Sequence, residues 1–232
     1  MKQRNNAFDL LCGLCILRMV TLHAICQTQL RGTTWWKETM AWTFFFMSFF
    51  FFKAGYFNKG ITCETLPYLK DRFRRLVVPY LSWGIIGGFM AIGWFCLYPE
   101  GPAKAVAVLR NFRWLVNGLT FGNSPLWFLL SFFATYALMH FIERIRYLHW
   151  VVLLFPAVGY WLFLHGNPLW FYLNNVFCGI FFFYLGKMWH QILDRLTKHK
   201  ALLVSVLLFI GFVLANIFLH AEYEMKTNHW TG

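Results

Sequence analysis

The sequence predicts an all-helical bundle of about seven membrane-spanning segments, with the N-terminus in the cytoplasm. Of its 232 residues, 59% are hydrophobic and only 13% are charged, whereas soluble domains are usually about 45–50% apolar and about 25% charged. The apolar residues are gathered in long runs, and a span needs about 20 of them. A protein of this composition is surrounded by lipid over most of its surface. We therefore expect one integral-membrane domain over residues 1–232.

The apolar runs define the predicted spans in chain order. They cover approximately residues 8–27, 39–57, 76–98, 125–142, 148–164, 169–187 and 201–220. No cleavable signal peptide is predicted, because Arg18 interrupts the apolar core that such a peptide needs. The chain ends soon after the last run without an obvious closing element, so we expect it to be a fragment of a longer protein.

The distribution of cations orients these spans. With the N-terminus inside, 13 of the 21 Lys and Arg residues fall on inner segments, 6 on outer segments and 2 within spans. Cytoplasmic loops carry such an excess. The net charge of +12 then indicates loops beside an anionic membrane surface rather than a nucleic-acid partner. In the long outer loop, residues 99–124, apolar residues recur at roughly helical spacing, which favours a helix on the outer surface.

The first predicted span contains two residues that are costly to place in lipid, Arg18 and His23. At 100° per residue, Asp9, Cys12 and His23 share one helix face, and Arg18 lies about 140° from His23. His23 is either a hydrated polar residue near the headgroups or a functional one. Arg18 needs polar surroundings, and since no acidic residue lies within a predicted mid-span region, we expect a water-filled cavity. No metal site is predicted, because the Cys12-x-x-Cys15 pair has no second ligand pair nearby.

Three arginines, Arg72, Arg74 and Arg75, lie at the inner end of the third span. Such a group is either an anchor that binds anionic lipid or a phosphate site, because Arg side chains match phosphate oxygens bidentately. Lys53 and Tyr56 end the Phe-rich second span, where the long Lys53 side chain can extend towards the inner surface. By itself, neither segment indicates catalysis.

Five segments, in one order, resemble the acyltransferase family 3 membrane proteins, the bacterial O-acyltransferases that modify surface sugars. The family opens with an Asp, a Leu-Arg-Gly-like turn and a His eleven residues after that Arg. The matching residues here are Asp9, Leu11, Cys12, Gly13 and His23. Further segments of the family are similar to "FFFFKAGYF", "RFRRLVVPY", "LWFL" and "FFFYLGKM" in this chain. Each motif is short, but their common order over most of the chain makes the resemblance specific.

The chain departs from the family pattern at two positions. The family's first-helix Arg falls on Cys12, and the small hydroxyl residue before its Ala/Gly-Tyr pair is Lys53 here. Because Arg18 lies close by on the same helix, we expect it to supply the missing charge from a neighbouring face. The family usually has more spans than this chain, so the resemblance also implies that the chain is truncated at its C-terminus.

The resemblance implies an enzyme of the bacterial inner membrane. It would transfer an acyl group, most often acetyl, from cytoplasmic acyl-CoA to a hydroxyl of a surface or lipid-linked glycan. His23 would be the general base, because the pKa of histidine suits proton transfer near neutral pH. Arg18 would stabilise the thioester oxyanion or a donor phosphate, and Asp9 would orient a neighbouring Arg.

The donor site implied by the resemblance lies at the inner ends of the second and third spans. Its residues would be Arg72, Arg74, Arg75, Lys53 and Tyr56. The expected partners are acyl-CoA, a glycan or lipid-linked sugar acceptor and membrane lipids, with no permanently bound cofactor. Two alternatives stay open. One is a carrier or flippase for an anionic or sugar-linked lipid, in which the same residues bind substrate, and the other is an inactive family member.

Overall fold

A computed structural model of the chain describes residues 6–25, 28, 33–43, 45–58, 64–97, 101–110, 115, 124–144, 150–165, 174–219, 222–224 and 229–231. Most of these residues are helical, as the predicted fold class requires, and one antiparallel strand pair joins Glu222–Glu224 to His229–Thr231. The chain divides into two compact units, Met1–Asn58 with Phe181–Gly232, and Lys59–Ile180. The single domain over residues 1–232 stays a prediction.

The helices follow the predicted spans in order, with differences at their ends. The first unit contains α1 (Asn6–Ile25), α2 (Thr34–Trp42) and α3 (Phe46–Tyr56). The second contains α4 (Thr65–Arg72), a π-helical turn (Phe73–Val77), α5 (Val78–Cys96), α6 (Gly101–Arg110), α7 (Trp127–Ile142) and α8 (Phe155–Leu164), with 3₁₀ turns at Ser124–Leu126 and Val151–Leu154. The chain continues into α9 (Asn174–Arg195), whose residues from Phe181 onwards belong to the first unit, and α10 (Lys198–Leu219).

The predicted second span, residues 39–57, is divided between two helices. α2 ends and α3 begins on either side of residues 43–45. The Thr43 hydroxyl at this break donates to the Thr39 carbonyl and accepts a hydrogen bond from Arg18 Nε. A hydroxyl that binds a nearby carbonyl competes with the backbone bonds of a helix. This competition contributes to the end of α2 before the Phe-rich segment begins.

Aromatic rings hold the N-terminal half of α1 against α3 in the first unit. The Phe8 ring centroid lies 5.9 Å from that of Phe49, 4.7 Å from that of Tyr56 and 5.1 Å from that of Phe57. Aromatic pairs at such separations add stabilisation beyond the apolar area that they bury. This packing places the residues just after Phe8 in α1 beside the C-terminal turns of α3.

In the same unit, α3 and the later part of α9 touch through their backbones. A Cβ atom added to Gly55 would lie 1.8 Å from the Phe183 carbonyl oxygen, and one added to Gly186 would lie 2.0 Å from the Phe52 carbonyl oxygen. Small residues allow such close approach between membrane helices. Both glycines belong to motifs that carry the family resemblance, and their role here is helix packing.

In the second unit, α6 confirms that the long loop over residues 99–124, predicted to be outer, contains an amphipathic helix. Its buried residues Gly101, Ala105 and Val108 follow helical spacing and share one face. Val108 packs with Tyr80 of α5, whose hydroxyl donates to the Leu115 carbonyl at 2.7 Å. The location of α6 on the outer membrane surface stays a prediction.

Among the described residues, two helical segments are long and apolar enough to cross a membrane. These are Asn6–Ile25 and Thr65–Cys96. Only 6% and 28% of their most apolar 18-residue stretches are buried inside the protein. Shorter apolar helices cover Trp127–Ile142, Val151–Leu162 and His199–Leu214. Apolar helices with outward-facing side chains suit a lipid environment. The number of spans and the cytoplasmic N-terminus stay predictions.

Tags in the loops test the predicted orientation. Because 13 cations fall on inner segments and 6 on outer ones, we expect tags within residues 58–75 and 188–200 to be cytoplasmic. A tag within residues 99–124 is expected outside. Labelling of intact spheroplasts with an impermeant reagent measures this accessibility. Protection of 99–124 together with labelling of 58–75 would reverse the orientation.

Candidate functional site

Lys53 joins α3 to two polar residues of α1, and we call these three residues the lysine cluster. The Lys53 Nζ atom lies 3.0 Å from Cys12 Sγ and 3.6 Å from Asp9 Oδ1. The two side chains of the ion pair are only 27% (Lys53) and 36% (Asp9) exposed. The cation is thus held in place by a carboxylate and stays within reach of a solvent-borne ligand. The structure thus places Lys53 beside Asp9, and the expected role of Asp9 in orienting an arginine stays a prediction.

Tyr56 lies one helical turn after Lys53, within an aromatic group. Its ring centroid is 4.7 Å from that of Phe8 and 4.9 Å from that of His190 in α9. The structure therefore places two predicted donor residues, Lys53 and Tyr56, at the same end of α3. His190 was not singled out from the sequence, because no local pattern relates it to α3.

Arg18 and His23 lie in the second half of α1, away from the lysine cluster. Arg18 Nε donates to Thr43 Oγ1 at 3.0 Å, and its guanidinium carbon lies 3.8 Å from the Phe46 ring centroid. A hydroxyl and an aromatic face thus contribute to the surroundings of this cation, where the sequence suggested a water-filled cavity. His23 is exposed in the last turn of the helix. It lies eleven positions after Cys12, about 16 Å along the axis.

Arg72 is the centre of a second group of residues, in the second unit. Its guanidinium carbon lies 4.3 Å from the Tyr136 ring centroid and 5.3 Å from the Tyr68 ring centroid. Its Nε atom is buried and has no hydrogen-bond partner in the part of the chain that the structure describes. A buried N–H group without a partner is costly. The Nε donor of Arg72 is therefore unsatisfied among the described residues.

The three predicted donor arginines lie in different surroundings, and their common role in donor binding stays a prediction. Arg74 and Arg75 are exposed, and Arg75 Nε donates to Asp71 Oδ1 at 2.8 Å on the surface of α4. In an α-helix, Arg72 and Arg75 would lie about 60° apart around the axis. The π-helical turn that begins at Phe73 has more residues per turn, so it rotates Arg75 away from Arg72.

His140 and Arg144 of the α7 end extend the group around Arg72. His140 is 5% exposed, its Nε2 atom lies 3.0 Å from Arg144 Nη2 and 3.3 Å from Thr65 Oγ1, and its ring stacks on Tyr68 at 4.6 Å. Because a guanidinium N–H only donates, His140 Nε2 is the acceptor and the ring proton sits on Nδ1. The six residues are called the arginine cluster below: Thr65, Tyr68, Arg72, Tyr136, His140 and Arg144.

The sequence analysis missed His140 and Arg144. Their spacing of four residues at the end of an apolar run was the available signal, since side chains so spaced lie on one helix face. The contact with Thr65 joins residues that are 75 positions apart, and no local pattern predicts it. Among the described residues, no three His, Cys, Asp or Glu side chains come together to hold a metal ion.

Comparison with known families gives a match, and it covers both clusters. The family model described as an acyltransferase domain, acyltransferase family 3, matches residues 5–232. No curated protein and no solved structure matches the chain. The matched region includes all residues of the lysine and arginine clusters as well as Arg18 and His23. The chain therefore belongs to acyltransferase family 3, as the order of its motifs predicted.

Proposed function

We propose that this protein is an O-acyltransferase of the bacterial inner membrane that moves an acetyl group from acyl-CoA to a hydroxyl of a surface or lipid-linked glycan. The family match over residues 5–232 is the observation that carries acyl transfer. The apolar helices with outward-facing side chains support the membrane setting. The acetyl group, coenzyme A and the glycan acceptor come from the resemblance of the motifs.

The proposed chemistry uses His23 as general base. Its imidazole takes the proton of the acceptor hydroxyl, and the oxygen attacks the thioester carbonyl to form a tetrahedral oxyanion. When the oxyanion collapses, the carbon–sulfur bond breaks, the ester forms, and the leaving thiolate takes the proton back from His23. Arg18 lies about 7–8 Å along α1 from His23, and we propose that its positive charge stabilises the oxyanion.

We propose that Arg72 binds a phosphate of the donor. Its support is the buried Nε atom, which has no hydrogen-bond partner among the described residues, together with the second cation of the cluster, Arg144. Glu143 contributes one negative charge close to His140. The two guanidinium groups of Arg72 and Arg144 outnumber it, so this region has a net positive charge. Coenzyme A is a polyanion, and guanidinium–phosphate hydrogen bonds are among the stronger ones in proteins.

Substitution of Arg72 by glutamine should weaken acetyl-CoA binding on the order of tenfold or more, because charge-assisted hydrogen bonds are worth roughly 1.5–3 kcal/mol. Arg74→Gln and Arg75→Gln should have smaller, more salt-sensitive effects, because both side chains are exposed. Equilibrium dialysis of labelled acetyl-CoA against the purified chain, at low and high salt, measures these changes.

Three controls make this experiment decisive. Lys70→Gln removes an exposed cation of the neighbouring α4 surface and should bind normally. Arg72→Lys retains the charge, and thermal unfolding shows which variants fold. If folded Arg72→Gln binds acetyl-CoA as the wild type does, Arg72 is a structural residue. If the wild-type chain binds acetyl-CoA but releases no thiol with a membrane-glycan acceptor present, acyl transfer fails and a carrier becomes the better explanation.

A further inference from the structure

We infer that the Lys53 ammonium, which comes from α3, takes the place of a cationic side chain at position 12 of α1. Cys12 and Lys53 then replace, as a pair, the Arg at position 12 and the small residue at position 53 of the family pattern. The inference rests on the proposed function, because it assigns this cation to the binding of the anionic donor. It also replaces our expectation that Arg18 supplies the missing charge. Its basis is that the two departures from the family pattern, far apart in sequence, are in contact in space.

The first step is the position of the Lys53 ammonium. Its Nζ atom lies 3.0 Å from Cys12 Sγ, so it occupies the space into which a longer side chain at position 12 would extend. Cysteine is short enough to leave this space open. A cation delivered by α3 therefore lies on the same face of α1 as one attached to position 12 itself.

The second step is the counter-ion. Asp9 precedes Cys12 by three residues, so both lie on one side of α1. Its Oδ1 atom lies 3.6 Å from Lys53 Nζ. One carboxylate can thus hold a cation that comes from either helix. Two cations with this single carboxylate would repel each other at close range.

The third step concerns Arg18. It is six residues after Cys12, about 120° away around the helix. Its Nε atom donates to Thr43 and its guanidinium lies on the Phe46 ring. These contacts direct it to the break between α2 and α3. Lys53 is therefore a cation that reaches the face of α1 with Asp9 and Cys12.

The fourth step is access. The Lys53 side chain keeps 27% of its surface exposed, and Asp9 keeps 36%. A partly exposed ion pair is weakly coupled and exchanges partners readily. A phosphate of the donor can therefore replace Asp9 as the partner of Lys53. A lysine ammonium acts there as a point charge, which suits a phosphate group without requiring bidentate geometry.

A four-variant cycle tests this pair in the purified full chain. We expect Lys53→Ser to weaken acetyl-CoA binding on the order of tenfold, and Cys12→Arg alone to impair the site because two cations meet there. The double variant, with Cys12→Arg and Lys53→Ser, should recover most of the affinity and of the thiol release. Lys53→Arg should stay close to the wild type. Lys37→Ser, which removes an exposed cation of α2, is the matched control.

The outcomes separate this inference from the proposed function. If the double variant is no better than its weaker parent, or if Lys53→Ser binds acetyl-CoA normally, the exchange is wrong. If Arg18→Ala lowers the affinity for acetyl-CoA and Lys53→Ser does not, Arg18 is the cation that binds the donor. If Lys53→Ser does not fold, the double variant and Lys53→Arg still decide by their affinities. A wild-type chain that neither binds acetyl-CoA nor releases thiol overturns both proposals, whereas normal wild-type activity without recovery in the cycle overturns only this one.

Discussion

Replacement of His23 by alanine is expected to reduce acyl transfer on the order of 10²–10⁴-fold, because general-base catalysis contributes about that much. The hydroxyl of a sugar is a poor nucleophile until a base takes its proton. His23 is exposed in the last turn of α1, so an acceptor from the surroundings can reach it. The measurement is the rate of thiol release from acetyl-CoA, with acetyl-CoA binding followed in parallel. Binding should change little, since His23 does not belong to either proposed donor-binding cluster.

His165 provides the matched control for this substitution. It is also an exposed histidine at the end of an apolar helix, and its ring Nδ1 is 2.9 Å from the Trp161 carbonyl of its own helix. His165→Ala should leave thiol release unchanged. A His23→Ala chain that transfers acyl groups at the wild-type rate would remove His23 from the mechanism, and the carrier alternative would then explain the motifs better.

Alanine at Gly55 or Gly186 is expected to lower the free energy of unfolding by about 3 kcal/mol or more, at the upper end of the usual cost of overpacking. The added Cβ atoms would lie 1.8 Å from Phe183 O and 2.0 Å from Phe52 O. These neighbours are backbone atoms, so no side-chain rotation relieves the clash, and α3 and α9 must separate. Unfolding of the purified chain in detergent, by heat or by denaturant, measures the loss.

Gly211 of α10 provides the control that shows whether the loss of unfolding free energy depends on the backbone contact between α3 and α9. In the part of the chain that the structure describes, nothing lies within 4 Å of a Cβ atom added there. Gly211→Ala should therefore be neutral or stabilise the chain by up to about 1 kcal/mol, because alanine has the higher helix propensity. Equal destabilisation by Gly55→Ala and Gly211→Ala would mean that the backbone contact between α3 and α9 contributes nothing.

Local patterns predicted most of the helices. α1 and α7 lie within two residues of the predicted bounds, since a long apolar run determines a helix by itself. The second span was predicted as continuous, and it is divided at Thr43. That division depends on a hydroxyl which binds both the Thr39 carbonyl and Arg18 Nε, and the second partner comes from another helix. Hydropathy alone carries no such information.

The two clusters likewise combine features that local sequence predicted with features that it did not. The sequence identified Arg72, Arg74 and Arg75 as neighbours, but the π-helical turn separates Arg72 from the exposed pair. It identified Asp9 and Lys53 without relating them, although their side chains form an ion pair. His140 was missed, because its partner Thr65 lies 75 residues away. The last two differences arise where two helices meet.

The sequence by itself determined that this is a helical membrane protein of acyltransferase family 3, because composition, apolar run length and motif order are properties of the chain alone. It also determined that Asp9, Cys12 and His23 share a face, since helical periodicity is local. Only the tertiary structure decided which cation faces Cys12, which arginine packs against two tyrosine rings, and why Gly55 and Gly186 are glycines. Those answers depend on how close two backbones come and on which side chains then meet, and residues distant in sequence set both.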